Sequence, residues 1–162
     1  MTIRAFSLTD IESIASWWDT SSSRPWSLKV MIEAAKKDHY HVLVSEQGSE
    51  INGVCLFTLV ADECNLLYIA VAPKNRQQGV AKQLLAALIE ESQQQRISRV
   101  FLEVRESNLA AIALYRSNGF SQNGERKNYY SAIESASDAL PKNTSSQRET
   151  ALLFDLLIKK LD

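Results

Sequence analysis

The spacing of apolar positions changes along the chain, and the changes mark out its elements. Ile3 to Phe6 reads as a short strand, and Ile11, Ile14 and Ala15 recur at helical spacing up to Trp18, behind Thr9 or Asp10 as the cap. The polar stretch Thr20 to Arg24 ends that helix, and Ser27 is placed to cap a second one over Leu28 to Lys37. The period then drops to two. Tyr40 to Ser45, Gly53 to Val60 and Cys64 to Val71 read as strands, joined by a turn in Glu46 to Asn52 and closed by Pro73. Three strands in succession predict an antiparallel meander.

Beyond Pro73 helix and strand alternate. Gly79 to Gln95 carries Val80, Leu84, Leu85, Leu88 and Ile89 on one face, and Arg99 to Val104 is a nearly continuous apolar strand, as in a buried parallel pair. Asn108 to Ser117 is a further helix, stopped by Asn118-Gly119, and Phe120 begins the next strand. Ser131 to Gln147, rich in Ser, Ala and Asn, reads as a flexible surface loop before a last strand, Thr150 to Leu157. The expectation is one α/β (α+β) domain over residues 1–162, with a mixed central sheet and helices on both faces.

Composition narrows the function classes. The chain has 162 residues, and 18 Lys and Arg against 19 Asp and Glu leave a net charge of −1, which argues against a direct nucleic-acid partner. No apolar run approaches the ~20 residues of a membrane span, and the N-terminus lacks a signal-peptide core, so a cytoplasmic protein is expected, working as a monomer away from membranes. Cys55 and Cys64 are too few and too far apart for a disulfide framework or a zinc site and read as small buried hydrophobes. His39 and His41 flank Tyr40 without a third ligand nearby, so no metal is expected.

The most informative stretch joins the strand Leu66-Leu67-Tyr68-Ile69-Ala70-Val71 to the helix beginning Arg76-Gln77-Gln78-Gly79-Val80-Ala81-Lys82. Free N–H groups at a helix start attract anions, and small residues let a pyrophosphate come close. Lys74, Arg76 and Lys82 add positive charge at the rim. The plainer alternative is an ordinary strand-to-helix turn; neither a Walker loop nor a dinucleotide fingerprint is present.

Two more residues stand out. Glu103 lies inside the apolar strand Val100-Phe101-Leu102-Glu103-Val104, sharing a face with Phe101 and Arg105, and carboxylates seldom sit in such surroundings without a partner or a task. A pairing with Arg105 or another surface cation would explain it as well as catalysis. Tyr115 follows Asn108 by seven residues and Ala111 by four, which puts the three on one helical face; it can equally be a core tyrosine packed on the sheet.

Taken together, Arg76-x-x-Gly79-x-Ala81, Leu102-Glu103-Val104-Arg105, Ser107-Asn108, Ala110 to Tyr115, Gly119-Phe120, Pro25-Trp26-Ser27 and Arg126 to Tyr130 resemble the GNAT acetyltransferase superfamily and, within it, the RimI branch that acetylates the N-terminal alanine of a ribosomal protein. The resemblance runs from about Thr9 to Tyr130 and resumes near Arg148. It implies a GNAT fold whose parallel fourth and fifth strands splay around acetyl-CoA. It implies that the backbone of Ile69, Ala70 and Val71 pairs with the pantetheine arm, that Gln77 to Lys82 hold the pyrophosphate, and that Asn108 binds the cofactor arm. Glu103 would be the general base and Tyr115 the general acid, its phenol protonated at neutral pH. Trp26, Tyr129 and Tyr130 become candidates for the cleft that takes a ribosomal-protein N-terminal peptide, although packing explains them equally well. Asp62 and Glu63 would suit a basic tail, or are solvated turn residues. Two departures are visible: Ala81 stands where relatives often carry Gly, and Ser131 to Gln147 is longer than the branch has there. Acetylation of another protein or a small amine, and a non-catalytic acyl-CoA-binding module, remain alternatives.

Overall fold

The computed structural model describes residues 1–18, 26–130 and 148–159. In chain order the elements are β1 (Thr2–Ala5), α1 (Ile11–Trp18), α2 (Leu28–Ala34), β2 (Tyr40–Gln47), β3 (Glu50–Val60), β4 (Glu63–Val71), α3 (Val80–Gln94), β5 (Arg99–Arg105), α4 (Leu109–Ser117), β6 (Ser121–Tyr130) and β7 (Glu149–Leu157). The strands make one mixed sheet in the order β1-β2-β3-β4-β5-β7-β6, with β4 and β5 parallel, which is the fold class that the patterning predicts. The chain divides into two compact units, Met1–Phe101 with Leu157–Asp162, and Leu102–Leu156, so that β5 begins in the first and ends in the second. The predicted polar break Thr20 to Arg24 and the predicted loop Ser131 to Gln147 lie outside the described residues.

In the first unit β2 to β4 form the expected antiparallel meander, and β1 adds to it antiparallel beside β2. Cross-strand register sorts its side chains. Val42, Leu56 and Tyr68 stand opposite one another, as do Val44, Val54 and Ala70, and these face Ile14, Trp17 and Trp18 of α1 and Met31 and Ala34 of α2 in one buried cluster. The Trp17 indole N–H completes the contact by donating to the Ile51 carbonyl at 2.7 Å. The opposite face, at Gly53, takes Val80 and Leu84 of α3. With a helix on each side, β3 is buried at almost every position rather than at alternate ones.

Among the predicted boundaries that move, three do so for a plain local reason. The turn expected over Glu46 to Asn52 shrinks to Gly48 and Ser49, because Gly48 adopts φ +66° and polar Glu46, Gln47 and Glu50 continue the ladder at the sheet end, where side chains reach water. Ser7, not Thr9 or Asp10, starts the first helical segment. It caps a 3-10 turn, Leu8–Asp10, in a capping box whose return bond runs from the Ser7 N–H to Asp10 Oδ2 at 2.8 Å, and α1 follows directly. Ser27 caps α2 as expected, through its Oγ to the Val30 N–H, but the helix ends at Ala34 instead of Lys37; the Lys37 N–H bonds to the Ala34 carbonyl, tightening the last turn.

In the second unit β6 and β7 pair antiparallel with two irregularities, and between the pairs Arg126↔Ala151 and Tyr130↔Glu149 three residues of β6 face one of β7. Asn128 takes φ +55° inside that bulge. Val100, Leu102 and Val104 of β5 are buried while Glu103 is exposed, the alternation expected of a strand. Gly119, at φ +88°, ends the chain turn after α4, and Phe120 is buried beside Tyr115 rather than starting β6.

Candidate active site

The strand-to-helix turn of the first unit has the backbone of an anion cradle. Gln77 (φ +59°) and Gly79 (φ +82°) both lie in the left-handed region around Gln78, a sequence of conformations that turns successive N–H groups toward one side. The α3 ladder begins with the Gln83 N–H donating to the Gly79 carbonyl at 3.1 Å, so the N–H groups of Val80, Ala81 and Lys82 precede it. A Cβ built on Gly79 meets nothing within 4 Å: glycine is required there by its φ, and the space in front is open. Arg76 to Gly79 are exposed. The loop is braced from behind, by Gln78 Nε2 on the Lys74 carbonyl at 2.9 Å and by the Asn75 N–H on the Ala72 carbonyl at 2.8 Å. An exposed, braced turn with open space at Gly79 fits a pyrophosphate. Ile69, Ala70 and Val71 close β4 opposite Cys55, Val54 and Gly53, just beyond a bulge that leaves Leu67 without a partner in β3.

The two candidate catalytic side chains both belong to the second unit. Glu103 is exposed, so the apolar surroundings that its strand suggested are not what it meets. Its carboxylate pairs with Arg126 at 3.0 Å, and the same guanidinium lies 5.3 Å from the centre of the Tyr129 ring. The pairing raised as an alternative for Glu103 is therefore present, with Arg126 rather than Arg105 as the cation. Arg105 instead meets Glu149 at 3.2 Å and lies over the Tyr130 ring at 4.2 Å. Glu149 also accepts the Ser107 N–H at 2.7 Å. Burial pushes the Glu149 carboxyl up, but the bonds from Ser107 and the Arg105 guanidinium outweigh it and hold it below the usual carboxylate range. Across the same junction the Glu106 N–H donates to the Thr150 carbonyl and the Thr150 N–H to Glu106 Oε1, fixing the approach to α4.

Asn108 caps α4, its Oδ1 accepting the Ala111 N–H at 3.2 Å. Tyr115 is 6% exposed, its ring centre 5.8 Å from that of Phe120. The cap and the buried ring hold the helix face on which Asn108 and Tyr115 sit. Of the aromatic candidates, Trp26 is partly buried against the α1 and α2 cluster and its carbonyl accepts the Trp18 indole N–H at 3.0 Å, which is a packing role. Tyr129 is half exposed, and Tyr130 meets it at 5.2 Å, near perpendicular. The Tyr130 phenol is pushed up, first by burial and then by Glu103. Asp62 is occupied structurally: its carboxylate accepts the Ser98 hydroxyl at 2.9 Å and its carbonyl the Ser98 N–H at 2.7 Å. Among the described residues no cluster of three or more His, Cys, Asp or Glu is arranged to hold a metal, and His41 stacks on Phe57 and meets Glu91 at 3.2 Å.

Sequence reasoning missed Arg126, Glu149 and Gly53. The first two pair with residues of β5, Glu103 and Arg105, from strands far along the chain, and such long-range pairing carries no local signal. Gly53 stands in a strand interior, the one sign of close backbone approach that could have marked it.

Comparison places the chain: residues 11–120 match the Acetyltransferase (GNAT) family, and the chain belongs to it. It is 32% identical over 139 residues to the ribosomal protein bS18-alanine N-acetyltransferase of Escherichia coli strain K12, covering 86% of this chain and 93% of that protein. It is 42% identical over 106 residues to the enzyme of the same name from Haemophilus ducreyi, 65% of this chain and 72% of that one. The crystal structure of the ribosomal-protein-S18-alanine N-acetyltransferase from Escherichia coli superposes with a TM-score of 0.81 at 31% identity, covering 99% of this chain and 96% of the other. Ard1 from Thermoplasma volcanium, at 24% identity and a TM-score of 0.79, shares the fold.

Proposed function

We propose that this chain transfers acetyl from acetyl-CoA to the α-amine of a protein that begins with alanine, the ribosomal protein bS18, and that a single acetyltransferase domain over residues 1–162 does so. The observation that carries this reading is the identity to the bS18-alanine N-acetyltransferases across 86% of the chain. The turn at Gln77 to Gly79, exposed and with two residues at positive φ, supports it independently.

Acetyl-CoA supplies the activated thioester. Gln77, Gln78, Gly79, Val80, Ala81 and Lys82 hold its pyrophosphate by backbone N–H groups, Arg76 adds charge at the rim, and the Ile69 to Val71 backbone pairs with the pantetheine arm. An N–H of that strand polarises the carbonyl. Glu103 takes the proton that the α-ammonium must lose, directly or through a water. This is a small task, because α-amines have pKa ~7.7–8.0. The amine nitrogen then bonds to the carbonyl carbon as the carbon–sulfur bond breaks, Tyr115 gives its phenolic proton to the departing sulfur, and the second proton of the nitrogen leaves to water, from which the phenolate is protonated again. Asn108, besides capping α4, takes part in holding the cofactor arm. For the substrate to reach Glu103, Arg126 must give up or share its carboxylate, and Tyr129 and Tyr130 flank that approach.

The test is a comparison of rates on peptides with N-terminal Ala, on the same peptides with a blocked α-amine, and on small amines. Acetylation confined to the free Ala peptides supports the reading, and faster turnover of small amines contradicts it.

A further inference from the structure

Gly53 of β3 is where the sheet and the cofactor helix come closest. A Cβ built on it falls 2.6 Å from Val80 Cγ1 and 2.9 Å from Leu84 Cδ1, well inside the ~3.5–4.0 Å of an ordinary carbon–carbon contact. Ser45 Cβ, on the neighbouring strand, is 3.4 Å away, so there is no room to move sideways either. Val80 and Leu84 are 2% and 0% exposed; Leu84 Cδ1 is the far end of a flexible side chain and can turn aside, whereas the β-branched Val80 is stiff at χ1 and moves with its backbone. Val80 is also the first residue of α3, directly after Gly79, and its own N–H belongs to the cradle. Gly53 lies opposite Val71, the last residue of β4, so one glycine touches the helix that carries the cradle and pairs with the strand that leads into it.

We propose that Gly53 is a positioning residue: the absence of a side chain there sets how deeply the first turn of α3 seats on the sheet, and so where the amides of Gln77 to Lys82 stand relative to the end of β4. The inference rests on the reading of those amides as the pyrophosphate site. Any side chain at residue 53 lifts Val80, the first residue of α3, and carries its N–H with it.

The test uses Gly53→Ala, Val80→Ala and the double variant in the full-length protein, with coenzyme A and pantetheine as paired probes, since only the first carries the pyrophosphate. Gly53→Ala is expected to weaken coenzyme A binding about tenfold while pantetheine binding holds within about twofold, a loss of the size that small misplacements produce. The KM for acetyl-CoA rises in step and kcat at saturation is kept. Removing the Val80 methyls in the Gly53→Ala background relieves the closer contact and restores most of the affinity, leaving Leu84 to yield at its flexible end. Equal losses for both probes, or no rescue by Val80→Ala, would overturn the proposal by making Gly53 a general packing residue. Unchanged coenzyme A binding in Gly53→Ala would overturn it too. A wild-type protein that binds coenzyme A no better than pantetheine would instead remove the pyrophosphate reading on which the proposal stands.

Discussion

Glu103 and Tyr115 are held by unlike means, and the difference shapes what substitutions at each should do. Glu103 is exposed and tied to Arg126 at 3.0 Å, whereas Tyr115 is buried against Phe120. Exchanging Glu103 for Gln removes a proton acceptor without changing shape, and Tyr115→Phe removes only the phenolic O–H. Each is expected to lower kcat by ~10²-fold or more, as lost acid–base groups do, with acetyl-CoA affinity unchanged in equilibrium titrations. The partners of Glu103 were only half legible in the sequence. Strand alternation put it on the face of Arg105, and that parity holds, but Arg105 is taken by Glu149, and the cation that reaches Glu103 comes from a bulged strand more than twenty residues on. Because the Arg126 side chain is about half exposed, the pair contributes little to folding: Arg126→Gln is expected to change stability by less than ~1 kcal/mol in chemical denaturation.

At the scale of elements, β1 and the start of α1 are joined by one polar knot. Arg4 donates to both Asp10 oxygens at 2.8 and 2.7 Å and to Glu46 at 2.9 Å, and Asp10 closes the capping box with Ser7. Asp10→Ala removes the buried carboxylate that accepts from Arg4 and from the Ser7 N–H, while Arg4 keeps Glu46, and is expected to cost about 1 kcal/mol in urea unfolding. The Arg4 guanidinium holds the Asp10 and Glu46 carboxyls below the usual range, and Ser107 and Arg105 do the same for Glu149 against the effect of burial. The unfolded chain therefore binds protons at these carboxyls before the folded one does. Their stabilisation is complete above the ordinary carboxylate range and is lost as pH falls through the lowered folded values, so stability should decline below about pH 4–5. Denaturation midpoints across that range should show a shallower decline for Asp10→Asn. Cys55 and Cys64 behave as their apolar strands suggested, free and buried, and burial pushes both thiols up, that of Cys64 to about 12. Neither should react with a disulfide reagent at pH 8 while the protein is folded, and both should react in guanidinium; reaction of the native protein would contradict that burial.

For the whole molecule, the order of elements and the meander were readable because hydrophobic period is a local property that burial enforces on every strand and helix. The cap of the first helical segment was not, because Ser7, Thr9 and Asp10 all suit a cap and only the position of Arg4 decides that Asp10 serves as the return partner instead. Nor was the contact at Gly53, which pairs residues far apart in sequence. The strand-to-helix turn was legible as a motif, and the structure adds its backbone, the positive φ of Gln77 and Gly79. The near-neutral charge of −1 is compatible with the proposed acetylation of a protein terminus. Intact-mass and fragment spectrometry of full-length, unmodified bS18 incubated with the enzyme and acetyl-CoA tests that account most directly. The expected result is a gain of one acetyl group located on the α-amine of the N-terminal alanine and absent with Glu103→Gln over the same time; an unmodified terminus, or acetyl on lysine side chains instead, would contradict it.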